Sequence, residues 1–184
     1  MGHAKAQSSQ SLMLVFVVVL YAVAWNWFIL LQMIWSMTRI NAGIPPRVLS
    51  DQHLLAEHRE IKRLPAVFAN NTHPTEIPDE FSLGKGHVKF FLDKGKFTLT
   101  RYKQIYKECV DRGFEVTDYS KNWDIYKDHP VFNRDYKPTP EAIDSLRERI
   151  IERISNSKQT LRYYKRKISG DELICIISLW IIFL

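Results

Sequence analysis

Two cysteines in 184 residues are too few for a disulfide framework or a CxxC metal knuckle. Cys109 sits in a charged stretch and Cys175 in an apolar tail, which fits a reducing compartment. The six histidines are scattered, with neither an HExxH motif nor a pair four residues apart, so no zinc or iron site is expected and no cofactor is called for. Alternation of apolar and polar residues is missing, and no internal repeat occurs. These absences exclude a disulfide framework, leave a zinc or iron site without support in the sequence, and with no β pattern to compete they leave an all-α class.

What the chain has in excess is positive charge. A formal charge of +6 favours polyanions such as nucleic acid or anionic lipid. On charge alone an ordinary basic protein is an equal reading.

Composition divides the chain into three parts. Residues 1–36 form an apolar extension, in which Leu12 to Trp35 carries no charge and is long enough to cross a bilayer as a helix of about 20 residues. The run exceeds the apolar core of a signal peptide, about 7–15 residues, and lacks a small-x-small cleavage site. Arg39 and Arg47 follow it while only Lys5 precedes it, so a spanning helix would leave the rest cytoplasmic. Residues 37–173 are charge-rich and read as the functional domain. Residues 174–184 are an apolar tail too short to span a membrane.

Within the central part the expected elements are helices. Ser50 and Asp51 resemble a cap for a helix from Gln52 to Leu64 that ends at Pro65. Asn70 to Phe81 reads as loop. Lys89 to Arg112 reads as a helix broken near Gly95 and closed at Gly113, with Leu99, Tyr102, Ile105, Tyr106, Cys109 and Val110 as its apolar stripe. Glu115 to Pro140 reads as irregular. Glu141 to Ile154 is amphipathic, with Ile143, Leu146, Ile150 and Ile154 facing the core.

On the helix from Gln52 to Leu64, Gln52, Arg59 and Arg63 share one side, with His53, Glu57 and Glu60 beside them. A solvated face crossed by ion pairs is the ordinary explanation. Arg149 and Arg153 lie one turn apart on the later helix, and Arg162-Tyr-Tyr-Lys-Arg-Lys167 mixes flat rings with cations. Phosphates call for cations and exposed bases for aromatic partners, so the mixture suits DNA; a solvated helix and a basic tail account for it equally well.

Three motifs in order point further. Met37-Thr-Arg-Ile-Asn41, Ser50-Asp-Gln-His-Leu-Leu-Ala-Glu-His-Arg-Glu60 and Gly84-Lys-Gly-His-Val-Lys-Phe-Phe91 resemble the pyrimidine-dimer DNA glycosylases of the phage endonuclease V type. Arg101 to Phe114 and the region of Tyr163 and Tyr164 are similar as well, so the resemblance covers most of Met37 to Ile168.

The resemblance implies a compact, monomeric, single-domain all-α enzyme acting on DNA in the cytoplasm. Its partner is duplex DNA carrying ultraviolet-induced cyclobutane dimers; it cuts the glycosidic bond of the dimer's 5′ nucleotide and then nicks the strand as an abasic-site lyase. It implies Thr38, through its α-amine, as nucleophile and Glu60 as the essential carboxylate. Arg39, Gln52, His53, Arg59, Arg63, Arg149, Arg153, Tyr163, Tyr164 and Lys165 are implied as DNA contacts. At Arg153 some relatives carry lysine, and the tryptophan that some place near the terminal aromatics is absent, with Leu161 in its neighbourhood.

One feature departs from the pattern. With 36 residues ahead of Met37 the Thr38 nitrogen is an amide, whose delocalised lone pair cannot form an imine. The adopted expectation is a chain that begins at Met37 and loses that methionine. The alternatives are proteolytic release between Met37 and Thr38, and a membrane-anchored protein, facing the cytoplasm, that binds damaged DNA without lyase activity.

Overall fold

The computed structural model describes residues 40–70, 77–84 and 86–180. The chain divides into two units, Met1–Met37 and Thr38–Leu184, and all the described residues belong to the second. Thr38, Arg39 and the apolar run Leu12 to Trp35 lie outside the described residues.

The chain enters through Ile40, Asn41, Ala42 and Ile44, all buried. Pro45 and Pro46 then lead into a 3-10 turn, Pro46–Val48, in which the fixed φ of proline suits the first helical position. Ser50 caps helix α1, Asp51–Ile61, its hydroxyl oxygen accepting the His53 N–H at 3.1 Å. Leu54 and Ile61 face the core.

The expected end of this helix is displaced. α1 stops at Ile61, and α2, Arg63–Asn70, runs straight through Pro65. Pro65 is the third residue of α2, where a helical N–H has no carbonyl to bond, so the ring costs no hydrogen bond.

The break expected near Gly95 is present. A short helix α3, His87–Phe90, is followed by a turn and then α4, Gly95–Asp111. A Cβ on Gly95 would sit 2.6 Å from the Tyr126 ring, so only glycine admits the aromatic at this corner. α4 ends in a Schellman motif: Gly113, at φ +70, donates to the Val110 carbonyl at 2.8 Å and Phe114 to that of Cys109 at 2.9 Å. Its buried face is Thr98, Arg101, Tyr102, Ile105 and Cys109, whereas Val110, expected in the stripe, is 48% exposed. The core stripe therefore contains a cation.

Ser120–Asp128 and Pro130–Phe132 form 3-10 turns, which bring Trp123 and Tyr126 into the core. The Trp123 indole N–H donates to the Thr98 hydroxyl at 2.9 Å. Thr139 caps helix α5, Pro140–Ser155, whose Ala142, Leu146, Ile150 and Ile154 are buried and whose Ile143 is half-buried.

A two-stranded hairpin follows, whose three-residue strands are too short to carry a pattern of alternation. β1, Leu161–Tyr163, pairs antiparallel with β2, Arg166–Ile168. The two turn residues, Tyr164 and Lys165, have φ of 49° and 64°. This is the left-handed pair that a tight hairpin requires and that glycine or asparagine usually supplies. Both residues are held there by one carboxylate, since Asp51 accepts their backbone N–H groups at 3.2 and 2.7 Å.

Asp51 in turn pairs with Arg112, whose side chain is fully buried. The guanidinium donates to Asp51 and to the Leu49, Pro46 and Arg47 carbonyls, and through Nε to Glu108, at 2.8–3.2 Å. All five of its N–H groups have partners. One arginine thus ties the entry turn, the start of α1, the end of α4 and, through Asp51, the hairpin.

The last helix, α6, Gly170–Leu179, begins with a capping box between Ser169 and Glu172. The boundary expected between residues 173 and 174 runs through it. Leu173 and Ile177 are fully buried and Trp180 nearly so, so these residues complete the core rather than trail from it. Apart from the hairpin the described fold is helical, as the all-α expectation has it.

Removing the Asp51 carboxylate strands a buried guanidinium and frees two left-handed residues. Asp51→Ala should lower unfolding stability by about 3–5 kcal/mol, measured by urea denaturation. A loss below about 1 kcal/mol would contradict this account of Arg112.

Candidate functional site

The entry segment is fixed by two buried polar groups. The Ile40 N–H donates to His87 Nε2 at 3.3 Å, which leaves the His87 proton on Nδ1, facing the Ser82 carbonyl at 3.3 Å. Burial is the main cause that lowers the His87 pKa to about 4, with the Arg149 charge adding to it against hydrogen bonds that raise it. Asn41 is held by Glu57. One carboxylate oxygen accepts the Asn41 backbone N–H at 3.1 Å and the other the side-chain amide at 2.7 Å.

Glu57 has no exposed surface and takes a fork from Arg101, Nε at 2.8 Å and Nη2 at 3.0 Å. Arg101 Nη1 also donates to the Ile44 carbonyl at 2.6 Å. The backbone from Ile40 to Ile44 therefore lies between a buried ion pair and a buried neutral imidazole.

Beside this segment opens a crevice of about 10 Å³, lined by Asn41, His53, His87, Leu146, Arg149, Ile150 and Arg153. That volume suits a single small polar group. Ser50 Oγ lies 2.9 Å from His53 Nδ1, and burial lowers the His53 pKa. Arg149 and Arg153, one turn apart on α5, are half-buried, and among the described residues neither has a carboxylate partner. Burial lowers the Arg153 pKa too. Two cations drawn partly out of water without a counter-charge make an anion-binding wall.

On α1, Glu60 forms an ion pair with Arg63 at 3.1 Å, their side chains 19% and 52% exposed. Arg59 is exposed. Gln52 and Arg59 share one face of α1, whereas Arg63, expected on that same helix, begins α2 beyond the break at Lys62. Gln52, however, is engaged: its amide N–H donates to the Thr160 carbonyl at 2.8 Å and its oxygen accepts the Arg162 N–H at 3.1 Å. It fastens the hairpin to α1.

The hairpin residues are similarly occupied. The Tyr163 hydroxyl donates to the Arg47 carbonyl at 2.9 Å and that of Tyr164 to Glu108 at 2.8 Å, with the Arg112 guanidinium against both rings. Tyr164 keeps 44% of its surface exposed, leaving its ring accessible. The Lys165 amine donates to the Gly113 carbonyl at 2.6 Å and lies over the Phe114 ring, so it is not a free cation.

The fold thus brings His53, Arg149 and Arg153 to one crevice and places Arg59 and Glu60 on the last turn of α1, with Arg63 at the start of α2. Tyr163, Tyr164 and Lys165 sit at the far end of α1. Asn41, Glu57, His87 and Arg101 escaped the residue reading as site-builders. A signal existed for two of them: Glu57 falls between Leu54 and Ile61 at core spacing, and Arg101 lies between the buried positions Thr98 and Ile105. A charge on an apolar face is a sign of a buried partner.

A polar entry segment clamped beside unpaired cations, on a small helical scaffold, is the layout of a site for an anionic polymer. Residues 37–122 match the family model described as pyrimidine dimer DNA glycosylase, the family that the sequence motifs resemble. The match supports a glycosylase directed at pyrimidine dimers, and a family of that description implies binding to damaged DNA. Arg149, Arg153 and the hairpin lie beyond the matched segment.

His87 is neutral in the fold down to about pH 4 and ionises near 6.5 when unfolded, so the fold is penalised as pH falls through that window. His53 and His58, also lowered mainly by burial, act in the same direction. Stability should drop between pH 6.5 and 4, with His87 contributing up to about 3 kcal/mol. His87→Gln should flatten the profile in denaturant titrations at stepped pH. An unchanged slope would refute the role assigned to the imidazole.

Proposed function

We propose that the enzyme couples base excision to strand cleavage through the α-amine of Thr38. The observation that carries this reading is the anchoring of Ile40 and Asn41 on His87 and Glu57 beside the unpaired Arg149 and Arg153. An anchor two residues downstream of Thr38 limits how far an amine at that residue can travel from the anion-binding wall.

An α-amine has a reference pKa of about 7.7–8.0, against about 10.4 for lysine, so far more of it is unprotonated at neutral pH. Its lone pair attacks C1′ of the 5′ nucleotide of the dimer. The glycosidic bond breaks, the departing base takes the bonding pair and a proton, and ring opening with loss of the amine proton gives an imine. Loss of a C2′ proton then expels the 3′ phosphate by β-elimination, and water releases the amine.

Glu60 supplies the carboxylate that stabilises positive charge at C1′ and moves protons during ring opening. Its ion pair with Arg63 holds it beside a cation that can accept a phosphate. Arg39, Arg59, Arg149 and Arg153 take further phosphates, and His53 lines the crevice next to them. The chemistry requires Thr38 to be the first residue of the active chain, because an amide nitrogen has no free lone pair.

Two measurements test the reading. Borohydride added during incubation with dimer-containing duplex should trap a covalent adduct mapping to Thr38; a chain verified by mass spectrometry to start at Thr38 that gives no adduct overturns the mechanism. Glu60→Gln should reduce cleavage by about 10²–10⁴-fold while affinity for the damaged duplex stays within a few-fold. Equal loss of binding and cleavage would make Glu60 structural.

A further inference from the structure

We propose that Arg162 and Lys167 form a clamp for a single backbone phosphate of duplex DNA, on the hairpin and outside the lesion crevice. The proposal rests on the duplex-binding reading above and adds a contact it does not include.

The register places the two residues directly opposite each other, Arg162 on β1 and Lys167 on β2. Leu161, buried, and Ile168, half-buried, pair next to them, so alternation turns Arg162 and Lys167 to the outer face, where both are exposed. Cross-strand neighbours have Cβ atoms about 4.5–5.5 Å apart, and like charges at that distance repel. Among the described residues neither has a carboxylate partner. A phosphate between them would relieve the repulsion and accept from both.

The clamp is also rigid. A two-stranded hairpin alone is marginal in water, yet this one is held on several sides. Asp51 takes both turn N–H groups, Gln52 clasps the edge of β1 at Thr160 and Arg162, and the two tyrosine hydroxyls are tied to Arg47 and Glu108. Lys165 is bound to the body of the domain and Arg166, opposite Tyr163, points to the other face, so the outer face of the hairpin carries the Arg162–Lys167 pair. Gln52 shares a face of α1 with Arg59, seven residues on, a span of about 10 Å along the helix. That is about three base-pair rises of 3.4 Å, so a duplex held at Arg59 extends past the hairpin and offers a flanking phosphate.

The test uses the full chain and fluorescence titration with dimer-containing and undamaged duplexes of one sequence, between about 50 and 200 mM salt. Arg162→Gln with Lys167→Gln should reduce the slope of log affinity against log salt by about 0.9, the value for one phosphate, and equally on both duplexes. Each single variant should give nearly the same reduction, because one phosphate serves both. Lys107→Ala, which removes an amine already paired with Asp111, should leave the slope unchanged. A double variant with the parental slope, or with twice the expected reduction, overturns the clamp while leaving the glycosylase reading intact. Absence of salt-dependent duplex binding by the parent chain would instead remove that reading, and the clamp with it.

Discussion

The Glu57–Arg101 pair is the contact on which the rest of the site depends. Neither side chain reaches solvent to any extent, and a pair so deep is stable only when its remaining hydrogen-bonding capacity is filled. Here the filling groups are Asn41, through backbone and side chain, and the Ile44 carbonyl. The ion pair therefore cannot be satisfied unless the entry segment lies across it. Stability and the placement of the segment Ile40 to Ile44 are one constraint. His87 adds a second fixed point, and its neutrality is enforced by burial.

A second polar hub, Arg112 with Asp51 and Glu108, does for the far end of α1 what Glu57 does for its middle. Both hubs pair a carboxylate of α1 with an arginine of α4, eleven residues apart along that helix. α1 and α4 are thereby locked in register twice, while Arg59 and Glu60 stand on the last turn of α1 and Arg63 opens α2. The helix that presents the candidate catalytic carboxylate is thus among the most constrained in the domain.

How much of this is legible in the sequence follows from what each feature depends on. The caps at Ser50, the break at Gly95 and the close at Gly113 are local, set by the chemistry of a few neighbouring residues, and they can be read directly. The class is legible for the same reason. The end of α1 is misread because Pro65 signals a stop only when its position in the helix is known, and here it opens a new one. The hairpin is invisible because its turn owes its shape to Asp51, more than a hundred residues away, rather than to a glycine. The residues of the final helix look like an apolar tail because their partners, on α5 and the entry turn, are distant in sequence. The motif residues His53, Glu60, Arg149 and Arg153 are named by resemblance, but only the fold explains why Arg149 and Arg153 lack counter-charges.

The grip of Gln52 on β1 has a consequence for how the molecule keeps to itself. A short strand at the margin of a sheet exposes alternate N–H and C=O groups, which invite pairing with a strand of another molecule. By donating to the Thr160 carbonyl and accepting from the Arg162 N–H, the Gln52 amide occupies that edge as a surrogate strand one residue long. A side chain on the helix that bears the candidate carboxylate thus also shields the β1 edge from pairing with a strand of another molecule.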